Sequence, residues 1–105
     1  MEVSVERSID VAVVQVTFEP RGHTGWHTHL GPVLVTVTSG QVTHVMGDCS
    51  RHTYTVGQSF VEERRDLTIV RNTGDVTATV VGTFLVPVGA TTLTPPAPAP
   101  RCTRG

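Results

Sequence analysis

Short runs rich in valine and threonine, each closed by glycine, proline, asparagine or aspartate, are the feature that most constrains the fold of this 105-residue chain. Valine and threonine branch at Cβ, which restricts their side chains and favours extended backbone. Strand-length runs separated by turn residues are typical of β-sandwiches and β-barrels. We therefore predict an all-β fold with little or no helix.

The predicted strands fill most of residues 1–90, and a proline-rich tail follows. Strands are expected at Val11–Phe18, Trp26–His29, Val33–Thr38, Gln41–Met46, Thr53–Val56, Ser59–Glu62, Thr68–Arg71 and Thr77–Val86, with a short edge strand at Val3–Glu6. Proline has no amide hydrogen to donate, so the tail over residues 91–105 cannot join a central strand. The length suits one domain, and we predict one β-barrel over residues 1–90.

A turn at Ser39–Gly40 predicts a tight hairpin, whose register decides which side chains point inward. Side chains on one face of that hairpin would be Val33, Val35, Val37, Val42, His44 and Met46. Five of these six are apolar, so we expect this face to be the interior and His44 to point inward. The side chains expected on the outside are Thr36, Thr38, Gln41 and Thr43.

Charge and hydropathy exclude two classes of partner. The formal net charge is −1, and the basic residues are scattered arginines, which leaves no basic patch for nucleic acid. No apolar run approaches the roughly 20 residues that a transmembrane helix needs. Residues 1–10 also lack the basic start and apolar core of a signal peptide. We expect neither a nucleic-acid nor a membrane partner.

His27 and His29 are the clearest candidate metal ligands. Residues two apart on a strand point to the same side, with about 7 Å between their backbone positions. Two neutral imidazoles converging in this way begin many sites for Zn, Mn, Fe, Ni or Cu. A lone His-x-His pair is also often incidental, but glycine and proline bracket this one closely at Gly25 and at Gly31–Pro32. The pair therefore indicates a divalent transition metal as cofactor.

The segment around the pair carries a family resemblance. The stretch GHTGWHTHLGP, from Gly22 to Pro32 and continuing to Gly40, resembles the first motif of the cupin superfamily. Residues 57–74 are similar to the second motif, so the resemblance covers roughly residues 11 to 90. It implies a jelly-roll β-barrel, the double-stranded β-helix, with metal ligands projecting into its mouth. The GWHxHxGP wording also resembles a subgroup of small, often exported bacterial cupins with a C-terminal cysteine.

Half of the usual cupin ligand set is replaced in this chain. The resemblance implies three histidines and a glutamate, and His27 and His29 match the first two histidines. The glutamate position falls on Val33 and the third histidine position on Thr68. Threonine is a poor ligand for a divalent transition metal because its hydroxyl is neutral and hard to deprotonate. A complete site would need a replacement from elsewhere.

His44 and Glu62 are the two candidate replacements, and each has an alternative role. His44 would either complete a three-histidine set or be a core histidine bonded to a neighbour. Glu62 would either enter the barrel and supply a carboxylate or be a solvated rim charge beside Arg64 or Arg65. The residues expected to line a pocket for a small-molecule ligand are Val33, Met46, Phe60 and Thr68.

The two cysteines lie far apart in sequence, Cys49 in a predicted turn and Cys102 in the tail. A bridge between them would close a loop of roughly 50 residues and tie down a tail that has little other reason to be ordered. The resemblance to the exported subgroup, with cysteines in both places, favours this disulfide. The chain would then work in an oxidising compartment, secreted or periplasmic; with free thiols it would be cytoplasmic.

Three functions are compatible with these residues. The leading hypothesis is a metal-binding barrel acting as an oxygenase, isomerase or lyase on a small molecule, with its catalytic residues unidentified. Val33 and Thr68 favour a second, a metal-free and non-catalytic barrel that binds a small ligand or simply dimerises. The third is metal-free acid–base catalysis by the histidine pair. A homodimer is expected because sheet edges rich in valine and threonine need covering.

Overall fold

The valine- and threonine-rich runs form seven β-strands in the computed structural model, which describes residues 9–102. The strands are β1 (Ile9–Phe18), β2 (Val33–Ser39), β3 (Gln41–Met46), β4 (Arg51–Thr55), β5 (Ser59–Glu62), β6 (Thr68–Arg71) and β7 (Ala78–Pro87). The prediction of an all-β fold is confirmed, and among residues 9–102 no helix could cross a membrane. The predicted strand at Val3–Glu6 lies outside the described residues.

Two antiparallel sheets enclose the core. One has the strand order β1-β7-β2-β5 and the other the order β4-β3-β6. Alternate side chains of β7 are buried along its whole length, as expected for a strand with one face on a core. Val35 and Val80 from the first sheet pack in one cluster with Val42 and Val70 from the second. The apolar interior of the jelly-roll barrel is this cluster between the sheets.

The predicted hairpin at Ser39–Gly40 is wrong. β2 pairs with β5 and β7, whereas β3 pairs with β4 and β6, so this turn carries the chain from one sheet to the other. Gly40 has a φ of 69° and lies so close to Thr77 and Ala78 that a Cβ would collide with them. The valines of the two strands therefore meet across the core instead of side by side.

The inward face predicted from that hairpin is largely correct despite the wrong pairing. The valines of the set and His44 are buried, whereas Met46 is only half-buried. Thr43, predicted to point outward, is buried and shares hydrogen bonds with the hydroxyls of Thr53 (2.8 Å) and Thr73 (2.7 Å). β3 is the central strand of its sheet and is covered on both faces, so alternation along it does not separate inside from outside.

The predicted strand at Trp26–His29 is also wrong, because this segment makes only isolated bridges. On one side, His27 exchanges backbone hydrogen bonds with Thr68 at 2.9 and 3.0 Å. On the other, the neighbouring residues bond to the tail, from Thr28 N–H to the Pro95 carbonyl and from Ala97 N–H to the Trp26 carbonyl. The segment is thus held between β6 and the tail with too few pairs on either side for a ladder.

The tail is tied back to the barrel by a Cys49–Cys102 disulfide, with the two Cα atoms 5.6 Å apart. Cys49 follows β3, so the bridge joins the end of the described chain to the three-stranded sheet. Leu93 packs against the core on the way. The disulfide prediction is confirmed, and the tail becomes part of the wall beside the histidine segment.

Candidate metal centre

His27 and His29 both point into the barrel, and each directs its Nε2 atom toward the interior. His27 and His29 are 3% and 2% exposed. The Nδ1 of His27 lies 2.8 Å from the Gly25 carbonyl oxygen, and the Nδ1 of His29 lies 3.0 Å from that of Leu93. A carbonyl oxygen only accepts, so each Nδ1 donates and each neutral ring keeps its Nε2 lone pair free. This is the tautomer that binds a metal through Nε2.

The three acceptor atoms of the site converge. The two Nε2 atoms are 3.1 Å apart, and Glu62 Oε2 lies 3.4 Å from that of His29 and 3.9 Å from that of His27. Lone pairs brought this close repel one another unless a positive charge lies among them. His27, His29 and Glu62 therefore form a group that could hold a metal ion.

Glu62 enters from β5, directly opposite Val33 of β2 in the strand register. It is 4% exposed, which rules out the solvated-rim alternative. Burial alone would raise the pKa of this carboxyl, but the His29 and His44 rings, whose Nε2 atoms lie 3.4 and 3.6 Å from Oε2, outweigh burial and hold the pKa well below its usual range. A buried carboxylate that stays ionised needs a positive partner.

The two histidines respond differently to this carboxylate. Burial lowers the pKa of His27, since desolvation disfavours the charged ring. Burial also opposes protonation of His29, but the negatively charged Glu62, whose Oε2 lies 3.4 Å from His29 Nε2, outweighs burial and raises the pKa of His29. The Glu62 carboxylate thus favours a positive charge at this place in the interior, whether a proton on His29 or a metal ion.

The donor set fits a divalent transition metal on two observations. Ligands that each lie about 2.0–2.2 Å from one ion are separated from one another by roughly 3.0–3.6 Å, and the shorter separations here, 3.1 and 3.4 Å, fall in that range. Among the described residues, Glu62 Oε2 is also a buried oxygen without a hydrogen-bond partner. An oxygen and two imidazole nitrogens suit Zn, Mn, Fe, Ni or Cu.

His44 lies beside this group of three and not within it. Its Nε2 is 3.6 Å from Glu62 Oε2 and shares a hydrogen bond with Thr68 Oγ1, while its ring stacks on Phe60 with centroids 4.6 Å apart. His44 is thus a core histidine that is hydrogen-bonded to Thr68 and that also contacts the Glu62 carboxylate. Its role as a metal ligand stays a prediction. Thr68, which stands in the third histidine position of the resemblance, is the neighbour that holds it.

A cavity of about 70 Å³ adjoins the three candidate ligands. Its walls are apolar except for the ligands themselves and two threonines. The residues that line it are Val16, Phe18, Thr24, His27, His29, Val35, Glu62, Val70, Val80, Gly82, Phe84 and Thr94. Typical ligand pockets are about 300–1,000 Å³, so this cavity has room only for a molecule of a few non-hydrogen atoms.

None of the four residues predicted to line a pocket borders this cavity. Val33, Phe60 and Thr68 are buried close by, opposite Glu62 or against His44. Met46 instead borders a surface depression with Leu67, because the hairpin register that placed it inside is not formed. The pocket role of the three buried residues stays a prediction.

The sequence interpretation missed two contributions from the tail. The Leu93 carbonyl fixes the tautomer of His29, and Thr94 lines the cavity. A backbone carbonyl has no sequence signature, and only the predicted disulfide hinted that the tail would lie against the barrel. Phe84 was within reach of prediction, since it occupies an inward position of β7.

Comparison with known proteins identifies the architecture. A family model described as the cupin domain matches residues 14–86, whereas no curated protein matches the chain. A conserved Klebsiella pneumoniae protein with a double-stranded β-helix domain is 21% identical, with 84% of this chain and 82% of that one covered and a TM-score of 0.69. A sugar phosphate isomerase from Silicibacter pomeroyi is 23% identical over 70% of this chain and 48% of that one, with a TM-score of 0.63. An oxalate oxidase is 22% identical over 84% and 52%, with a TM-score of 0.62. At these identities the likeness is one of fold.

Proposed function

This chain belongs to the cupin family, and from that premise we propose that it binds one divalent transition metal ion through His27, His29 and Glu62 and acts on a very small molecule in the adjoining cavity. The observation that carries the proposal is the meeting of two Nε2 lone pairs and an ionised carboxylate oxygen in the interior. Each of these atoms accepts and none donates, so a cation satisfies all three at once. A bound metal would supply Lewis-acid or redox chemistry for an oxygenase, isomerase or lyase reaction.

The lost glutamate of the cupin motif is replaced from the neighbouring strand. Val33 holds the motif position, and Glu62 faces it across the β2–β5 pair, so both side chains start from adjacent places on the same inner face. His44 comes from β3, the strand next to β6, and its Nε2 shares a hydrogen bond with the hydroxyl of Thr68, the residue in the third histidine position. We propose that His44, held by Thr68, orients the Glu62 carboxylate, whose Oε2 lies 3.6 Å from His44 Nε2.

Exchanging the two residues tests this replacement. Glu62→Val should abolish stoichiometric metal binding, because the two histidines alone hold an ion weakly. The double variant Val33→Glu/Glu62→Val should bind metal with at least a tenth of the wild-type affinity, because it returns a carboxylate to the facing position. Titration calorimetry with Zn, Mn and Ni, together with elemental analysis, measures both. Wild-type affinity in Glu62→Val would contradict the carboxylate's role.

Size and charge define the substrate class. The cavity admits only a few non-hydrogen atoms, and among the described residues neither arginine nor lysine borders it. A phosphate group would find no arginine or lysine there, and a sugar phosphate exceeds the space of about 70 Å³, so the sugar phosphate activity of the Silicibacter relative does not carry over to this site. We propose a small molecule without a phosphate group that binds at the metal and contacts the apolar side chains of Val80 and Phe84.

The disulfide supports an oxidising compartment for the protein. Intracellular thiol pools keep most such bridges reduced, whereas secreted and periplasmic proteins retain them. We therefore propose that the chain works outside the cytoplasm. Thiol labelling of protein recovered from its native cells, without added oxidant, would show no reactive cysteine.

We propose a homodimer through the outer face of the four-stranded sheet. Val13, Leu34 and Val61 are exposed there, and the strand registers place them with Thr83 in one row across all four strands. Exposed apolar side chains aligned on one face of a sheet are typical of an association site, and a two-fold axis would pair this row with its own copy.

Light scattering with size-exclusion chromatography tests this dimer. Wild-type protein should have twice the chain mass, and Val13→Lys/Leu34→Lys should be a monomer, since two of the three exposed apolar side chains in the row become charged. Val76→Lys is the matched control, because Val76 is equally exposed but lies in the loop before β7. A monomeric wild-type protein would contradict the proposal.

A further inference from the structure

The tail forms one side of the proposed metal site. Between Leu93 and Ala97 it runs beside the histidine segment, accepting a hydrogen bond from Thr28 N–H at Pro95 and donating one from Ala97 N–H to Trp26, both at 3.0 Å. The Leu93 carbonyl accepts the Nδ1 proton of His29. Thr94 completes the cavity lining. Ligand orientation and cavity closure thus both depend on where the tail lies.

Few contacts keep the tail in this position. Among residues 91–102 only one isolated bridge, at Pro96, pairs the tail with the barrel, and prolines remove several backbone donors from the segment. Leu93 packs against the core at one end. At the other end the Cys49–Cys102 disulfide fixes it to the turn after β3, 53 residues earlier in the sequence. Cys49 is exposed, so this fixing point is open to a reductant in solution.

We propose that the tail is a redox-controlled strap, in which reduction of the Cys49–Cys102 disulfide releases the tail and opens the metal site. The proposal rests on the function proposed above. A dithiol reductant supplies two electrons and two protons: the Cys49–Cys102 bond breaks to give two thiols, and the two reductant sulfurs join in a new disulfide. Once the tail leaves, His29 loses the carbonyl that fixes its tautomer, and the cavity loses its wall at Thr94.

The release has two physical consequences. When the Nδ1 of a metal-binding histidine loses its hydrogen-bond acceptor, metal affinity falls by about 10- to 100-fold, because that hydrogen bond sets the orientation and basicity of the ring. Solvent and reagents also reach the two motif histidines, which the closed structure buries. The first consequence concerns the metal, whereas the second is measurable in metal-free protein.

Histidine modification tests the strap independently of metal. Metal-free protein is compared in three forms: oxidised, reduced with a phosphine that is then removed, and Cys49→Ser/Cys102→Ser. Diethyl pyrocarbonate labelling, read by mass spectrometry, should modify His27 and His29 at least 10-fold faster in the two open forms. His52 is exposed on β4 and should react at the same rate in all three, which makes it an internal control. Reoxidation should restore the protection.

A second variant covers the case in which the serine double variant does not fold. Leu93→Gly keeps the disulfide and removes the side chain that anchors the tail to the core, so labelling of His29 should again accelerate. Equal labelling of His27 and His29 in oxidised, reduced and variant protein would overturn the strap.

Metal release separates this proposal from the one on which it rests. With the oxidised protein loaded with Zn, transfer of the ion to a chelator should be at least 10-fold slower than from the open forms. If all forms retain Zn for the same time, the strap proposal is overturned, whereas the proposed metal site is supported. Accelerated labelling in a protein that never retains Zn supports the strap as a lid and overturns the metal function alone.

Discussion

Replacing His29 with alanine is expected to lower metal affinity by more than about 100-fold, beyond the usual loss from a residue that only supports a ligand. The variant keeps His27 and Glu62 but removes the nitrogen that lies nearest to both, at 3.1 and 3.4 Å. It also removes the ring whose proximity favours the ionised form of the buried carboxylate. Titration calorimetry with Zn and Mn, at a pH where the histidines are neutral, measures the loss.

Two further variants are compared with His29→Ala to separate a metal ligand from other histidines. His52→Ala removes an exposed histidine on β4 and should leave the affinity unchanged. His44→Ala should reduce it by about 10- to 100-fold, the range for a group that orients a ligand. A loss in His44→Ala as large as in His29→Ala would make His44 a direct ligand, and unchanged binding in His29→Ala would contradict the site altogether.

Removing the disulfide is expected to have the largest effect on stability. In Cys49→Ser/Cys102→Ser the unfolded chain regains the freedom that a cross-link over 53 residues removes, nominally about 4 kcal/mol in the chain-entropy description. For a domain of this size each kcal/mol shifts the melting temperature by about 4–8 °C, so a fall of roughly 15–30 °C should follow. Urea titration and calorimetry measure both quantities.

The reduced wild-type protein is the matched comparison for that variant. Since reduction leaves every other side chain in place, it should lose the same stability as the double serine variant. A loss below about 1 kcal/mol in both would show that the bridge constrains little in the unfolded chain. A loss confined to the variant would assign the effect to the serines and not to the cross-link.

The strands were predictable because their signal is local. Gln41–Met46, Ser59–Glu62 and Thr68–Arg71 match the observed strands residue for residue, and the first of them lies between the turn glycines Gly40 and Gly47. Pairing was not predictable, because the Ser39–Gly40 turn has the composition of a hairpin but carries the chain between sheets. A turn sequence records local backbone preference, whereas strand partners depend on which apolar faces meet across the core.

The sequence named the candidate ligands but could not give their arrangement. His27, His29 and Glu62 were all candidates, but the sequence left open whether Glu62 enters the barrel or lies at its rim, and β5 buries it together with Phe60. The sequence could not give the distances between these side chains. The β2–β5 register brings Glu62 close enough to His27 and His29 to form a group that could hold a metal. The Leu93 carbonyl was beyond prediction, because its role follows from where the tail lies.

The wrong strand assignment at Trp26–His29 did not mislead the site prediction, for a physical reason. Extended backbone alternates its side chains whether or not a ladder forms, and single bridges at His27 hold the segment extended. The two rings thus still point to the same side, with centroids 4.7 Å apart. Alternation was therefore a safer basis for prediction than strand pairing.

The most direct test of the metal centre is an anomalous-scattering map from crystals of the protein grown with cobalt or zinc and collected at the absorption edge of the metal. We expect one strong peak per chain, about 2.0–2.2 Å from the Nε2 atoms of His27 and His29 and from a carboxylate oxygen of Glu62. A map with no peak among these three side chains, or with the peak at the barrel surface, would contradict the proposed function.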